Sequence, residues 1–512
     1  MARRKATEQE PAAPRQRLGS VIKRIRDLMR TDPGLNGDLD RLPQLSWMLF
    51  LKAFDDKEQE WPVERPDYQP LLQENYRWRT WAGNDRFTGE PLVEFINDDL
   101  LPRLRALGDT STSADLASKI GHVFQGVENR MRSGYQIREV LNEINKVDFT
   151  SSKDVHAMAE LYESMLQEVR DAAGDSGEFY TPRPLTKFIV QQVDPRPGET
   201  VLDPAAGTGG FLVETLEHLG MERAESVRER RDIERSIRGI EKKPLPYLLA
   251  MMNLILHGVD VPQVESGNAL ALLRQSASPA TQVDVVVTNP PFGGAESPDV
   301  VKAFPKKYQT AETAWLFLTA ILDKLKPGGR CGIVLPNGVL FGEGVGTRIK
   351  ERLLKECNLH TVVRLPDGVF APYTSIPSNL LFFEKRADGR KAEQIHDIGG
   401  WATRDVWFYE IVPPAGSKRY TKTKPMRFEE FAECTAWWGG RGRDGRVEND
   451  RAWMVSATQL HEAGFNLDVP NPSSGDDLAH RPPHELVKEL IETEHEILAI
   501  LAELQSSLEA TR

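Results

Sequence analysis

Residues 201–211 read Val-Leu-Asp-Pro-Ala-Ala-Gly-Thr-Gly-Gly-Phe, and this stretch decides the fold. Its first residues predict a buried strand that ends at Asp203, followed by a glycine-rich turn and a helix that begins near Gly210. Glycines in such a turn let a ligand approach the backbone closely. The spacing is not the GxGxxG of dinucleotide sites and lacks the Lys-Ser/Thr of a phosphate-binding loop, which favours a compact zwitterionic ligand. On this stretch alone, a purely structural strand-to-helix turn stays open.

Strand-like segments alternate with helix-length segments beyond residue 150. The short apolar runs that end in a polar residue lie at 200–203, 238–241, 283–288, 330–335, 361–365 and 379–384. Their alternation with helices predicts an α/β fold with a doubly wound, mostly parallel sheet. In such sheets ligands bind beyond the carboxyl ends of the strands, so the functional residues are expected directly after them.

The chain divides into four predicted parts. Residues 1–15 lack apolar periodicity and are expected to form a flexible tail, whereas the helical spacing in 16–150 predicts a helical N-terminal domain. Residues 151–470 form the predicted α/β domain, with the highly charged stretch 221–235 as a helical insertion. Residues 471–512 are predicted to be a linker and one C-terminal helix, which contacts a partner or packs on its own domain. Its apolar heptad positions are Val487, Leu490, Ile497, Leu501, Leu504 and Leu508.

Length and composition exclude several classes of protein. The chain has 512 residues, of which 40% are hydrophobic and 28% charged, which excludes a wholly disordered chain. No run of about 18 apolar residues occurs, which argues against a membrane span. The three cysteines form no CxxC pair, so neither a disulfide framework nor a cysteine zinc site is expected, and a cytoplasmic location is predicted. A net charge of −11 argues weakly against one large basic groove.

Two other strand ends carry polar residues suited to a nucleoside and an amine. The second strand ends in Glu241, and an acid there can accept hydrogen bonds from both ribose hydroxyls. Residues 283–294 read Val-Asp-Val-Val-Val-Thr-Asn-Pro-Pro-Phe-Gly-Gly, and the two prolines make this loop rigid. The amide oxygen of Asn289 and the carbonyl of Pro290 can accept the hydrogens of an exocyclic amine. Phe292 offers a face on which an extruded base can stack.

Together these motifs resemble those of the S-adenosylmethionine-dependent amino-methyltransferases that act on adenine in DNA. More narrowly, the chain resembles the modification (methyltransferase) subunits of type I restriction-modification systems. Three further segments carry the narrower resemblance, namely 177–185, 326–336 and 376–385. The resemblance extends from about Leu18 to the C-terminal helix, and it implies a Rossmann-like methyltransferase fold with N6-adenine methylation as the activity.

The resemblance also assigns site residues, and it implies no metal. The catalytic residues would be Asn289, Pro290, Pro291 and Phe292. Residues 178–183 would line the methionine end of S-adenosylmethionine, Asp203 would lie near its amino group and Glu241 would hold the ribose. An ordinary helix start, with Thr181 as N-cap and Pro182 at the first helical position, is compatible with that assignment. The full cofactor set is Glu178, Phe179, Tyr180, Thr181, Pro182, Arg183, Asp203, Gly207, Thr208, Gly209, Gly210, Glu241 and Asn268. In related enzymes Asp is more common than Asn at the position of Asn268.

The expected partners follow from the same resemblance and from one absence in the sequence. Residues 431–475 are too few and too rich in glycine for a sequence-reading DNA domain, so a separate specificity subunit is expected to choose the site. The substrate would be double-stranded DNA with a flipped adenine, and a nuclease subunit and a second copy of the chain are further candidate partners. The alternatives are a self-sufficient DNA adenine methyltransferase, a methyltransferase acting on protein glutamine or RNA, and an inactive scaffold that only binds the cofactor.

Overall fold

The computed structural model describes residues 14–64, 68–109, 116–172, 181–275, 278–371, 374, 376–414, 419–473 and 494. Within them the strands form one nine-stranded sheet in the order 3-2-1-4-5-7-6-8-9. Strands β7 and β9 run antiparallel to their neighbours and all the other pairings are parallel. The predicted doubly wound, mostly parallel sheet is therefore confirmed. The strands are β1 (Val201–Asp203), β2 (Ile237–Glu241), β3 (Val264–Ser266), β4 (Val283–Thr288), β5 (Leu325–Pro336), β6 (Cys357–Arg364), β7 (Ser378–Lys385), β8 (Asp405–Glu410) and β9 (Ala452–Ser456).

The chain before the sheet is helical, as predicted. Its α-helices are α1 (Pro14–Arg30), α2 (Asp38–Glu64), α3 (Trp78–Trp81), α4 (Glu90–Glu94), α5 (Leu101–Ala106), α6 (Leu116–Gln125), α7 (Gly134–Ile144) and α8 (Ser152–Ala172). A π-helix at Phe95–Leu100 joins α4 to α5. The predicted domain boundary at 150 falls in the loop between α7 and α8, although α8 itself packs on α1 and α2.

The remaining helices cover the sheet on both faces or lie at its edges. They are α9 (Arg183–Val193), α10 (Gly210–Leu219), α11 (Val227–Ser236), α12 (Pro244–Leu256), α13 (Ala269–Gln275), α14 (Pro298–Lys302), α15 (Thr313–Lys324), α16 (Asn337–Phe341), α17 (Val345–Glu356), α18 (Ala432–Trp437) and α19 (Ala457–Glu462). Short 3-10 turns occur at Glu74–Tyr76, Leu107–Asp109, Met221–Arg223, Pro279–Thr281, Lys306–Tyr308, Ala392–Gln394, Ile398–Gly400 and Phe428–Phe431.

Helix α12 joins the N-terminal helices to the sheet. Every residue from Pro246 to Leu256 is buried, because α12 packs on α2, α6 and α8 on one side and on β2 and β3 on the other. A helix that is apolar on all sides needs such a covering on every side. Nearby, the buried ammonium group of Lys119 donates to the carbonyl of Pro262 (2.9 Å) and to Oε1 of Gln263 (3.0 Å). The N-terminal helices and the β2–β3 side of the sheet therefore share one hydrophobic core.

The strand predictions hold for six strands and miss three. β1, β2, β4, β5, β6 and β7 occur where predicted, with ends shifted by up to five residues. β3 has only three residues, with an exposed Glu265 at its centre, and offers no apolar run. β8 and β9 each contain four consecutive hydrophobic residues, at 406–409 and 452–455, which the sequence analysis did not identify as strands. The charged insertion is a 3-10 turn and the largely exposed α11.

The remaining predictions concern the C-terminal helix, the cysteines and the absence of a membrane span. The predicted C-terminal helix lies outside the described residues, apart from Glu494. The three cysteines are free and buried, in agreement with the predicted absence of a disulfide framework. Among the described helices, none combines the length and the apolar character that a membrane crossing requires.

Candidate active site

Three polar residues meet at the carboxyl edge of the sheet. Asp203 ends β1, Glu241 ends β2 and Asn289 directly follows β4, and these three parallel strands are neighbours. The hydroxyl of Thr288, the last residue of β4, donates to Oδ1 of Asp203 at 2.7 Å. The structure thus brings together the three residues that the sequence placed at strand ends, and Thr288 ties two of those ends to each other.

The glycine turn between β1 and α10 is held from both sides and leaves an open surface. Gly207 has φ +54° and Gly209 has φ +80°, a left-handed conformation that glycine adopts without strain. The backbone N–H of Gly207 donates to Oε2 of Glu241 (2.8 Å), and the carbonyl of Thr208 accepts from Nδ2 of Asn253 (2.9 Å). Among the described residues, and apart from its two chain neighbours, no heavy atom lies within 4 Å of the place that a Cβ at Gly207 would occupy. A ligand can therefore approach the turn there.

Asp203 is a buried carboxylate with one unsatisfied oxygen. Its Oδ1 accepts from Thr288 and from the backbone N–H of Ala205 (3.1 Å). Its Oδ2 is buried and has no hydrogen-bond partner among the described residues. Burial, opposed by those two hydrogen bonds and reinforced by the charge of Glu241, raises the pKa of Asp203 to about 7. A buried carboxylate of this kind is stabilised by a cationic ligand.

Asn289 is buried with its amide half engaged. Its Nδ2 donates to the hydroxyl of Thr181 at 3.0 Å, whereas its Oδ1 is buried and has no partner among the described residues. Leaving a buried amide oxygen unpaired costs about 1–3 kcal/mol, so such an atom is a good candidate for contact with a ligand donor. Pro290 is buried beside Asn289, and Pro291 is exposed. The amide is thus arranged to accept a hydrogen bond.

Phe292 differs from its expected arrangement. Its ring is 8% exposed and packs edge-to-face on Phe370, with the centroids 5.2 Å apart and an interplanar angle of 84°. Phe370 belongs to the loop between β6 and β7, so a residue far along the chain covers the ring. The stacking of a base on Phe292 stays a prediction, because the ring is largely covered in this structure.

The segment around Thr181 contacts the site in a way that the sequence did not indicate. Thr181 was assigned to the cofactor, yet its hydroxyl bonds Asn289. Helix α9 begins at Arg183 with Pro182 as its N-cap residue, one position later than predicted. Glu178, Phe179 and Tyr180 lie outside the described residues.

Two other predicted cofactor residues have structural contacts of their own. Arg183 forms a two-pronged ion pair with Glu163 of α8 (2.7 and 2.6 Å) and donates to the carbonyl of Gly210 (2.8 Å). Asn268 caps α13 by accepting from the backbone N–H of Leu270 (3.0 Å), and it donates to Glu296 (2.7 Å). Arg183 therefore fastens the glycine turn to the N-terminal helices, and Asn268 begins a helix.

Sequence reasoning missed three residues that shape the site. Thr288 had a detectable signal, since it is a polar residue that stands between three consecutive valines and Asn289. Asn253 is a fully buried amide within the apolar helix α12, and its Oδ1 has no partner among the described residues. Glu163 gave no signal, because its partner Arg183 lies 20 residues further along the chain.

The residues present fit S-adenosylmethionine. The carboxylate at the tip of β2 suits the ribose of this cofactor, and the open glycine turn after β1 suits its compact methionine chain. The buried carboxylate of Asp203, whose Oδ2 has no partner among the described residues, suits the cationic amino group. No group of three or more candidate ligand side chains that could hold a metal ion occurs in the described part of the chain.

The strand order and this site define an S-adenosylmethionine-dependent methyltransferase. The family model for N-6 DNA methylases matches residues 153–480, and the model for the HsdM N-terminal domain matches residues 18–144. The chain belongs to the N-6 DNA methylase family, as a methylase subunit of the type I restriction-modification kind.

Known relatives support this membership along nearly the whole chain. The type I restriction enzyme EcoEI methylase subunit of Escherichia coli is 45% identical over 469 residues, which cover 91% of this chain and 92% of that protein. The crystal structure of a modification subunit of a putative type I restriction enzyme from Vibrio vulnificus YJ016 is 46% identical and covers 92% of this chain and all of that one, with a TM-score of 0.77.

A second structure, from work on complex assembly and conformational transition of the type I restriction-modification system, is 35% identical with a TM-score of 0.79. It covers 97% of this chain and 99% of that one. The predicted N6-adenine methyltransferase of a type I system is thereby confirmed.

Proposed function

We propose that this chain transfers the methyl group of S-adenosylmethionine to N6 of an adenine extruded from duplex DNA, with Asn289 as the amine-binding residue and a separate specificity subunit choosing the site. The observation that carries the proposal is the buried amide of Asn289, whose Nδ2 is bound by Thr181 and whose Oδ1 has no partner among the described residues. This amide lies at a strand end beside the buried carboxylate of Asp203.

The chemistry depends on how the loop holds the amine. The lone pair of the adenine amine is delocalised into the ring, so the amine is a poor nucleophile. Oδ1 of Asn289 and the carbonyl of Pro290 would accept its two hydrogens and favour a pyramidal nitrogen whose lone pair is free to attack. Bound S-adenosylmethionine supplies a methyl group on a positively charged sulfur. As the N–C bond forms and the S–C bond breaks, positioning and fixed dipoles supply most of the acceleration, and the amine proton leaves to water.

Different residues would hold the cofactor. Oε1 and Oε2 of Glu241 already accept from the backbone N–H groups of Lys243 and Gly207 (2.8 Å each), which fixes the carboxylate for the ribose hydroxyls. Asp203 would bind the cationic amino group of the methionine end. Arg183 would act through the backbone, because it holds the carbonyl of Gly210 and thereby the shape of the turn.

The proposal is tested by methyl transfer from labelled S-adenosylmethionine to duplex DNA, RNA and protein, with the chain alone and with its co-expressed specificity subunit. We expect N6-methyladenine in DNA, identified by mass spectrometry of nucleosides, and only when the specificity subunit is present. Transfer to DNA by the chain alone would favour the self-sufficient enzyme. Label in RNA or in protein glutamine, with none in DNA, would contradict the proposal.

Replacing Glu241 by Ala is expected to weaken S-adenosylmethionine binding by about 1.5–3 kcal/mol, because a charge-assisted hydrogen bond to the ribose is lost and Gly207 loses its acceptor. Isothermal titration measures the effect. Glu265→Ala on the adjacent strand β3 is the control, since Glu265 is exposed and outside the site. Equal affinities for Glu241→Ala and the wild type would exclude the ribose role.

Deleting residues 484–512 is expected to impair assembly with the specificity subunit while cofactor binding is retained, because the heptad positions there would expose an apolar stripe. The described residues that precede position 474 lie at the carboxyl edge of the sheet, where Asp468 pairs with Arg364 (2.9 Å) and Asn471 donates to Glu410 (2.9 Å). Size-exclusion chromatography of the co-expressed subunits measures assembly. Normal assembly combined with a lower melting temperature of the truncated chain would show instead that the segment packs on its own domain.

A further inference from the structure

We infer that residues 419–427 form a phosphate-binding surface that holds the DNA backbone beside the extruded adenine. The inference rests on the proposed function, in which the acceptor is adenine in DNA. The segment reads Arg-Tyr-Thr-Lys-Thr-Lys-Pro-Met-Arg and holds four cations and no carboxylate, in a chain whose net charge is −11. We call these nine residues the basic segment.

The basic segment lies at the same edge of the sheet as the catalytic loop. It follows β8, which runs parallel to β6, and β6 is parallel to β4 and β5 because the intervening β7 is antiparallel to both of its neighbours. Just after β8, the N–H of Ile411 donates to the carbonyl of Arg364 at the end of β6 (3.0 Å). Loops after β4, β6 and β8 therefore occupy one surface, where ligands of such sheets bind.

Direct contacts connect the basic segment to the catalytic loop. The N–H of Tyr420 donates to the carbonyl of Asp367 (2.9 Å). Gly368, which follows Asp367, has φ +77° and lies so close to the carbonyl oxygen of Tyr420 that a Cβ at this position would stand 2.2 Å from that oxygen. Two residues further, Phe370 packs on Phe292 of the catalytic loop. Tyr420 is buried in the same hydrophobic cluster as these two rings. The basic segment is thus fixed against the loop that carries Asn289.

The cations of the basic segment face solvent on a rigid backbone. Thr421 and Lys424 exchange backbone hydrogen bonds of 3.2 and 3.1 Å, which closes a tight turn. Arg419, Lys422, Lys424 and Arg427 are exposed, in contrast to the buried Tyr420 and Met426 between them. Within the described residues, no ion pair engages Arg419, Lys424 or Arg427. Exposed cations without carboxylate partners on a fixed turn suit a polyanion.

DNA phosphates are the polyanion that this position favours. An extruded base that reaches Asn289 leaves its own phosphates at the rim of the pocket. Contacts from Lys and Arg to phosphates fix the register of a duplex without reading its sequence, a task that the specificity subunit retains. Each such contact releases condensed counterions, so it has a measurable signature in the salt dependence of binding.

The test replaces Arg419, Lys424 and Arg427 together by Gln in the complex with the specificity subunit. The matched control replaces Arg228, Arg230 and Arg235 by Gln, three exposed cations on α11. Helix α11 leads into the amino end of β2, at the edge of the sheet opposite to the candidate site. We expect DNA affinity at about 0.15 M salt to fall roughly 10- to 100-fold and the slope of log K against log salt to decrease in magnitude by about 2 to 3. The KM for DNA should rise, whereas kcat at saturating DNA, cofactor affinity and the behaviour of the control should match the wild type.

Two results would overturn the inference. One is an unchanged salt slope and KM for DNA in the basic-segment variant, while the wild type methylates adenine in DNA. The other is loss of the specificity subunit from the variant on size-exclusion chromatography, which would make the segment a protein contact. A wild-type complex that methylates no DNA would instead refute the proposed function, so the two failures are distinguishable.

Discussion

Replacing Asn289 by Ala is expected to reduce methyl transfer by about 100-fold or more while S-adenosylmethionine binding stays within a few-fold of the wild type. The amide oxygen would act on the amine in the transition state, and removing one such fixed dipole typically costs a factor of 10²–10³ in rate. The glycine turn and Glu241, which are proposed to hold the cofactor, are linked to each other without Asn289. Labelled methyl incorporation into DNA, with the specificity subunit present, measures the rate.

A suitable control for that variant is Asn358→Ala. Asn358 is a half-buried amide on β6 near the amino end of the strand, and it should leave the rate unchanged. If Asn289→Ala retains more than about a tenth of wild-type activity, Asn289 is not the amine-binding residue. If it loses cofactor affinity to the same extent as activity, the residue belongs to the cofactor pocket instead.

What the sequence could predict was carried by local patterns. Asp203, Glu241 and Asn289 each end or follow a short strand, so their meeting at one edge follows from the parallel order of those strands. The glycine turn was predictable for the same reason, since the left-handed backbone that the turn adopts at Gly207 and Gly209 favours glycine. Each motif is local: the strand end and the glycine turn lie within residues 201–211, and Asn289 directly follows the strand 283–288.

What it could not predict depends on contacts between distant residues. Thr181 reaches Asn289 across 108 positions, and Phe370 covers a ring to which an open face had been assigned. Neither contact leaves a periodic or compositional signal, because each is made by one ordinary side chain on a loop. The shared core of the N-terminal helices did leave a signal, because α12 is apolar at every position of its buried part except Asn253, which a surface helix would not show.

Replacing Asp203 by Asn is expected to make the cofactor-free chain more stable and the cofactor more weakly bound. Burial raises the pKa of Asp203 to about 7, well above its value in the unfolded chain, so the folded state favours the protonated form. The stability contributed by this group is complete below about pH 4 and is lost as the pH rises to about 7. Above pH 7 the ionised carboxylate costs up to about 4 kcal/mol. Asn removes that cost, and we expect a melting temperature higher by about 2 °C or more at pH 8.

The free-energy cost of ionising Asp203 is offset when the cofactor binds. Its unsatisfied Oδ2 would pair with the cationic amino group of S-adenosylmethionine, an interaction that a neutral amide cannot replace. We therefore expect Asp203→Asn to bind the cofactor at least about tenfold more weakly at pH 8, in the range of a charge-assisted hydrogen bond. Wild-type affinity should decline as the pH falls below about 7, because protonation removes the charge, and the variant should lose this pH dependence.

Asp284→Asn separates the site effect from a general effect of removing a partly buried acid. Although burial opposes it, the hydrogen bonds from Lys326 (2.7 Å) and Thr200 hold the pKa of Asp284 below its usual value, so this carboxylate stabilises the fold at neutral pH. Its replacement should lower the melting temperature at pH 8 and leave cofactor affinity unchanged, which is the opposite of the Asp203 result. Titration calorimetry and thermal melts of both variants between pH 6 and pH 8 decide the matter. Wild-type cofactor affinity in Asp203→Asn, or a melting temperature below that of the wild type, would show that Asp203 is a structural residue whose charge the cofactor does not use.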